Sequence, residues 1–326
     1  MQNAWWKRFI YGLPIVMAAV AVVFIACQRP VKGAPVVKPV VDSAWTAPDI
    51  QTAANIAPAT KQQLLYGVDL IAHTAKYFGP KGSINHTTNG MNCQNCHLDA
   101  GRKSWGNNYG GVAANYPRFN GRSGKTQTIF DRINDCFQRS LNGKPQDTTT
   151  AEMKAMFAYI QWLGQKLPPH TKPVGSAIEK QPYLSRAANV EKGQLVYAAK
   201  CAVCHGKDGG GLLDGTGAEY AYPPLWGPHS YNNGAGLYRL FGFAGFVKNN
   251  MPYLQASHEA PVLTSEQAWD VAAFVNSQPR PVFNQQADWQ NVALKPVDFP
   301  FGPYADTFTE QQHKYGPFKP IAAAKK

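Results

Sequence analysis

The chain is short of acid, of sulfur and of any nucleic-acid signature, and each shortage narrows what it can be. No block of like charge, no basic–aromatic repeat and no groove-reading motif occurs along its 326 residues, which removes nucleic acid as a partner. Asp and Glu number 20 against 32 Lys and Arg, a formal charge of +12. An excess of that sign suits docking onto an acidic protein, and it suits a small polyanion drawn to a positive cleft. Cysteine and methionine are scarce, six of each, so each can be asked what it is for. Hydrophobic residues make up 44% of the chain, enough for buried cores, and the length suits two small domains and a tail.

What is present begins with a targeting segment, residues 1–27. Lys7 and Arg8 precede an uncharged stretch from Phe9 to Ala26. A positive start followed by an apolar run marks export, with the positive end left inside. The run ends Phe24-Ile25-Ala26-Cys27, a sequence similar to a lipoprotein cleavage box with Phe in place of the usual Leu. A lipidated Cys27 and a retained helix only just long enough to span both stay open. Either one tethers the chain to a membrane on the periplasmic side, and simple cleavage leaves it soluble there. Residues 28–61, rich in Pro, Ala and Val, read as a flexible tether.

Beyond residue 61 the chain repeats itself weakly. Leu64-Leu65-Tyr66-Gly67-Val68 and Lys192-Gly193-Gln194-Leu195-Val196 each open a helix-like stretch shortly before a Cys-x-x-Cys-His motif. Each copy closes with another helix, predicted from Thr150-Ala151-Glu152-Met153 and from Thr264-Ser265-Glu266-Gln267, where a Thr start and an early Glu precede apolar residues at helical spacing. The reading is all-α: two cytochrome c-type domains in tandem, 62–170 and 186–282, joined by a Pro-rich linker at 171–185. The tail, 283–326, is too rich in Phe, Tyr and Pro to float free, and is expected to pack across both domains without regular structure.

Cys93-x-x-Cys96-His97 and Cys201-x-x-Cys204-His205 are two haem-attachment motifs. Two thiols in each bond a haem covalently and the adjacent His becomes an iron ligand. A zinc site would need further paired ligands, and a dithiol redox motif does not need the His. The expected cofactors are therefore two covalently bound haem c. For the sixth ligand of the second iron, Met251 is the only methionine in that domain and sits in Asn250-Met251-Pro252. His229, His258 and Lys248 compete. A His/Met pair raises the iron potential and suits an electron exit.

In the first domain the leftover residue is Cys136. Four cysteines hold haems and Cys27 belongs to the targeting segment, so Cys136 is an unpaired thiol in an exported chain, where an idle one is a liability. It follows His97 at a distance comparable to that of Met251 from His205, where a distal ligand belongs. A small buried core residue is the bland alternative. Met153, Met156, His73 and His86 also compete for this iron. If Asp131 to Ser140 is helical, Arg132 and Ser140 flank Cys136 on one face and Arg139 lies near it. A thiolate beside arginine is an anion site.

With these residues in place the sequence resembles the di-haem thiosulfate dehydrogenases. The resemblance runs from about Gly67 to Ile321. Its specific part is Arg132-Ile133-Asn134-Asp135-Cys136, supported by Tyr116-Pro117-Arg118, Arg139-Ser140-Leu141-Asn142-Gly143, Asn250-Met251-Pro252 and Gln312-His313-Lys314-Tyr315-Gly316-Pro317-Phe318. It implies oxidation of two thiosulfates to tetrathionate, reversible in some members, with electrons passed to an accepting cytochrome c or other redox protein. It further implies that Cys136 is the catalytic haem ligand and that Arg122 and Arg132 help to hold substrate. Two positions depart from the pattern: Leu141 stands where Met is expected, and Asn250 stands where some members carry a Lys that exchanges with Met. Two other classes remain: a respiratory electron carrier with no open site, and a di-haem peroxidase.

Overall fold

The computed structural model describes residues 44–325. The targeting segment, Cys27 and the first part of the tether lie outside the described residues. Among the described residues, no helix is long and apolar enough to cross a membrane.

The architecture is two copies of one helical plan. In the first, α1 (Pro58–Ala72) crosses α3 (Ala151–Gly164), with α2 (Ile129–Arg139) beside them. In the second, α4 (Val190–Lys200) crosses α6 (Ser265–Ser277), and α5 (Leu240–Asn250) packs on α6. The glycine shared by the two repeats explains the crossing. A Cβ on Gly67 would lie 2.4 Å from the Ala155 carbonyl oxygen, and one on Gly193 would lie 1.9 Å from that of Asp270. Only a residue without a side chain lets the opening and closing helices approach this closely. The closing helices begin as their sequences require. Thr150 accepts a hydrogen bond from the Met153 N–H, and Thr264 forms a reciprocal box with Gln267, so each satisfies an orphan donor of the first turn.

Each copy has its own core. Leu64, Leu70, Phe137, Met153 and Tyr159 are buried in the first, and Leu240, Trp269, Val271 and Val275 in the second. Both cores line a cavity rather than close on themselves, which leaves room for a large apolar group at the centre of each.

The structure departs from the sequence reading in three places. The fold is helix-rich rather than purely α. An antiparallel hairpin joins β1 (Arg118–Asn120) to β2 (Lys125–Gln127), and a smaller one joins β3 (Leu212–Leu213) to β4 (Tyr220–Tyr222). The last part of the tether is not a tether. Trp45 and Ile50 are buried in the first core, and the Trp45 N–H donates to the Val174 carbonyl at 2.7 Å. Burial of an indole supplies apolar area that a solvated linker lacks. The tail does cross both domains, but it ends in α7 (Glu310–Tyr315) and α8 (Phe318–Ala324), and Phe318 and Ile321 complete the second core.

Candidate functional site

The first cavity has a volume of about 640 Å³ and is lined by Cys93, Cys96, His97, Arg132 and Cys136, with apolar walls from Ile71, Ile133, Met156 and Ile160. The second, about 410 Å³, is lined by Cys201, Cys204, His205 and Met251, with Phe243, Phe246 and Val275 among its walls. Met91 and Cys96 line both, so the two cavities share a wall.

Both sets of donors fit a c-type haem. The four motif thiols are free rather than paired. Burial pushes Cys93 and Cys96 up to about 12 and Cys201 to about 11, so they sit in their apolar boxes as neutral thiols. His97 Nδ1 lies 2.6 Å from the Asn107 carbonyl oxygen, and His205 Nδ1 lies 2.8 Å from that of Pro223. A carbonyl only accepts, so Nδ1 carries the proton in each ring and Nε2 keeps a lone pair for a metal. Burial also lowers both imidazoles, His97 to about 4, which keeps them neutral as iron ligation requires.

The competitors for the sixth positions separate by location. In the second domain only Met251 is on the cavity wall. His258 stacks on Trp105 with centroids 3.9 Å apart, and neither His229 nor Lys248 lines the cavity. In the first domain Cys136 and Met156 line the cavity, and Met153 is buried in the core beside it. His73 points to Glu219 (2.9 Å) and His86 to the Gly82 carbonyl (3.0 Å).

α2 brings Arg132 and Cys136 together one turn apart. Its N-terminus is fixed by a reciprocal box between Thr128 and Asp131. The Cys136 sulfur holds the half-buried Arg132 guanidinium more firmly charged than usual, against a smaller opposing effect of burial. Arg122 is placed differently from Arg132. It is not on the cavity wall; its Nη2 donates to Asp135 Oδ2 at 2.5 Å. Burial and the neighbouring Arg139 charge lower Arg122, and the Asp135 charge opposes them. The basic groups on the wall that sequence reasoning left without a role are Arg118, 4.9 Å over the Tyr116 ring, and Lys172 and Lys180 of the linker. Tyr116-Pro117-Arg118 was visible in the sequence, but only the hairpin shows that Arg118 reaches the cavity. The linker had no such signal. It is stitched along the His97 side of the cavity, where Trp105 N–H donates to Gly175 O and Asn107 N–H to Ala177 O.

Two cavities of this kind, each built on a Cys-x-x-Cys-His motif, define a di-haem c-type cytochrome. Residues 84–168 match the family model for the SoxA/TsdA cytochrome c domain, and residues 190–279 match that for cytochrome c. The thiosulfate dehydrogenase of Allochromatium vinosum is 40% identical over 60% of this chain and 72% of its own length. That of Psychrobacter arcticus is 36% identical over 69% of this chain and 66% of its own. The solved thiosulfate dehydrogenase (TsdBA) of Marichromatium purpuratum superposes with a TM-score of 0.66 at 32% identity, over 73% of this chain but only 50% of that one. The chain belongs to the thiosulfate dehydrogenase family.

Proposed function

We propose that the protein oxidises two thiosulfates to tetrathionate at the first cavity, reversibly, and passes the electrons through the second to an accepting cytochrome or other redox protein on the periplasmic side of the membrane. The observation that carries this reading is the pairing of Cys136 with Arg132 on the wall of a cavity that also holds a haem-attachment motif. A pure electron carrier has no use for a thiol and a guanidinium facing the same space.

The haems, when bound by Cys93, Cys96 and His97 and by Cys201, Cys204 and His205, supply two one-electron acceptors for the pair of electrons the reaction releases. Cys136 would be a sulfur ligand to the first haem iron, and when released from it acts as the sulfur nucleophile. Its thiolate joins the sulfane sulfur of one thiosulfate, with loss of two electrons, to give a Cys136–S–S–SO₃⁻ adduct. The sulfane sulfur of a second thiosulfate attacks that of the adduct, the bond to Cys136 breaks, and tetrathionate leaves with the thiolate restored. Splitting the reaction at a covalent adduct replaces one encounter of two dianions by two easier steps. Arg132 neutralises each dianion as it arrives, and Arg118 lies on the same wall to assist. Arg122 contributes indirectly, by holding Asp135 beside Cys136.

The test is thiosulfate oxidation with an artificial acceptor, run also as tetrathionate reduction with a reduced dye. Activity in both directions is expected. A protein that exchanges electrons with dyes but turns over neither compound is a carrier, and the reading fails. Met251 is read as the second distal ligand. Met251→Gly is expected to keep both haems attached but lose the weak long-wavelength absorption band of methionine bound to ferric iron. Electron exit should slow while thiosulfate affinity stays. An unchanged band in that variant would remove Met251 from the iron.

A further inference from the structure

The two adjacent tail residues Asp288 and Trp289 bind Arg139, the last residue of the Cys136 helix, and the backbone of Arg122 in the hairpin before it. Asp288 takes the Arg139 guanidinium with two bonds, Nη1 to Oδ2 and Nη2 to Oδ1, each 2.8 Å, and both side chains are only 9% exposed. The Phe283 ring lies 4.3 Å under the same guanidinium. The Trp289 N–H donates to the Arg122 carbonyl at 2.7 Å. Both arginines then turn to one carboxylate: Arg122 Nη2 lies 2.5 Å from Asp135 Oδ2 and Arg139 Nε lies 3.6 Å from Asp135 Oδ1. Asp135 immediately precedes Cys136.

We propose that Asp288 is a positioning residue for Cys136 and Arg132, acting through Arg139 and Asp135 to fix the rotation of α2 over the first cavity. The proposal rests on the reading of Cys136 as ligand and nucleophile. A forked, bidentate pair fixes both distance and plane, which a single charge contact does not. With Asp288 in place, Arg139 ties the last turn of α2 to the tail and turns its Nε toward Asp135 Oδ1, while Arg122 and Gln127 hold Asp135 Oδ2. Without it, the last turn of α2 loses its tie to the tail, and the Arg139 group that faces Asp135, next to Cys136, is no longer held in place. Supporting groups of this kind determine how well a ligand is oriented, and their removal typically costs 10- to 100-fold in activity. The tail that reaches Asp288 is thereby part of the first site, although the chain enters it only after the second domain is complete.

The experiment uses the full di-haem protein. The ferric absorption and electron paramagnetic resonance signature of thiolate ligation at the first haem is recorded beside thiosulfate turnover. Asp288→Asn is expected to convert that signature into a mixture of ligation states and to lower kcat/KM by roughly 10-fold or more. Asp288→Glu, which keeps a carboxylate, is expected to recover most of both. Asp298→Asn is the control. That tail carboxylate is also buried, and it accepts from Arg239 Nε at 3.0 Å in the second domain, away from Cys136. It is expected to leave the first-haem signature unchanged. If Asp288→Asn fails to fold, the double variant Asp288→Leu with Arg139→Leu leaves no orphaned charge and is expected to show the same mixed signature. A wild-type signature in Asp288→Asn, or in the double variant where Asp288→Asn does not fold, overturns the proposal. So does an equal change in Asp298→Asn, which would mean general loosening of the tail. A wild-type protein that lacks the thiolate signature overturns the Cys136 reading itself, and this proposal with it.

Discussion

Cys136→Ala is expected to abolish thiosulfate turnover in both directions while both haems stay covalently attached. The thiols of the two Cys-x-x-Cys-His motifs are Cys93, Cys96, Cys201 and Cys204, and Cys136 belongs to neither motif. The first haem should lose its low-spin thiolate spectrum and become high-spin or take a replacement ligand. Met91 and Met156 are the methionines on that wall, so a methionine-type spectrum is the replacement the cavity makes available. Turnover should fall to background in oxidation and reduction alike, because in the proposed mechanism making and splitting tetrathionate share one cysteine adduct. Cys136→Met sharpens the test. It can return six-coordination to the iron but cannot form a transferable S–S bond. Pyridine haemochrome titration of the denatured protein counts the haems, and steady-state assays in both directions read the rest. An active Cys136→Met enzyme would show that the position needs only a ligand, and the covalent mechanism would be dropped.

What could be read from the sequence was local or came from counting. The Cys-x-x-Cys-His motifs are contiguous, and Met251 stands out because the second domain has no other methionine. Arg132 and Cys136 could be placed side by side because residues four apart meet on any helix. The Gly67 and Gly193 matches marked the repeat, although the reason for glycine, a carbonyl of the crossing helix within Cβ contact, is tertiary. Arg122 could not be located that way. Its capture by Asp135 depends on the β1–β2 hairpin folding back over α2, a pairing that neither segment encodes alone. The ordered stretch from residue 44 escaped notice because two residues, Trp45 and Ile50, override an otherwise linker-like composition. The tail helices are 6 and 7 residues long, too short to show a period or to hold without packing. Phe318 and Ile321 make them helical by docking into the second core.

Arg132→Ala is expected to lower kcat/KM for thiosulfate by on the order of 10²-fold or more, the usual cost of removing a positioned donor from a site where charge gathers. The electrostatic problem sets the scale. Two dianions about 4 Å apart repel by roughly 4 kcal/mol even in water, four times the unit-charge energy, and by more in an apolar cavity. Ile, Met and Tyr side chains on its wall offer no compensating charge, and the positive groups there are Arg118, Arg132, Lys172 and Lys180. Arg132 is the best placed of these, because it lies one turn from Cys136 on the same helix and lines the same cavity. Arg132→Lys keeps the charge but loses the planar fork, and is expected to recover only part of the rate. Ionic strength gives a second readout. Wild-type kcat/KM should fall as salt screens the attraction, and the Arg132→Ala dependence should be shallower because one attracting charge is gone. Covalent haem content and the first-haem spectrum should stay near wild type, which separates lost substrate binding from a disturbed iron site. Wild-type kinetics in the Ala variant would take Arg132 out of the site, and full recovery by Lys would mean that charge alone, without the fork, holds the anion.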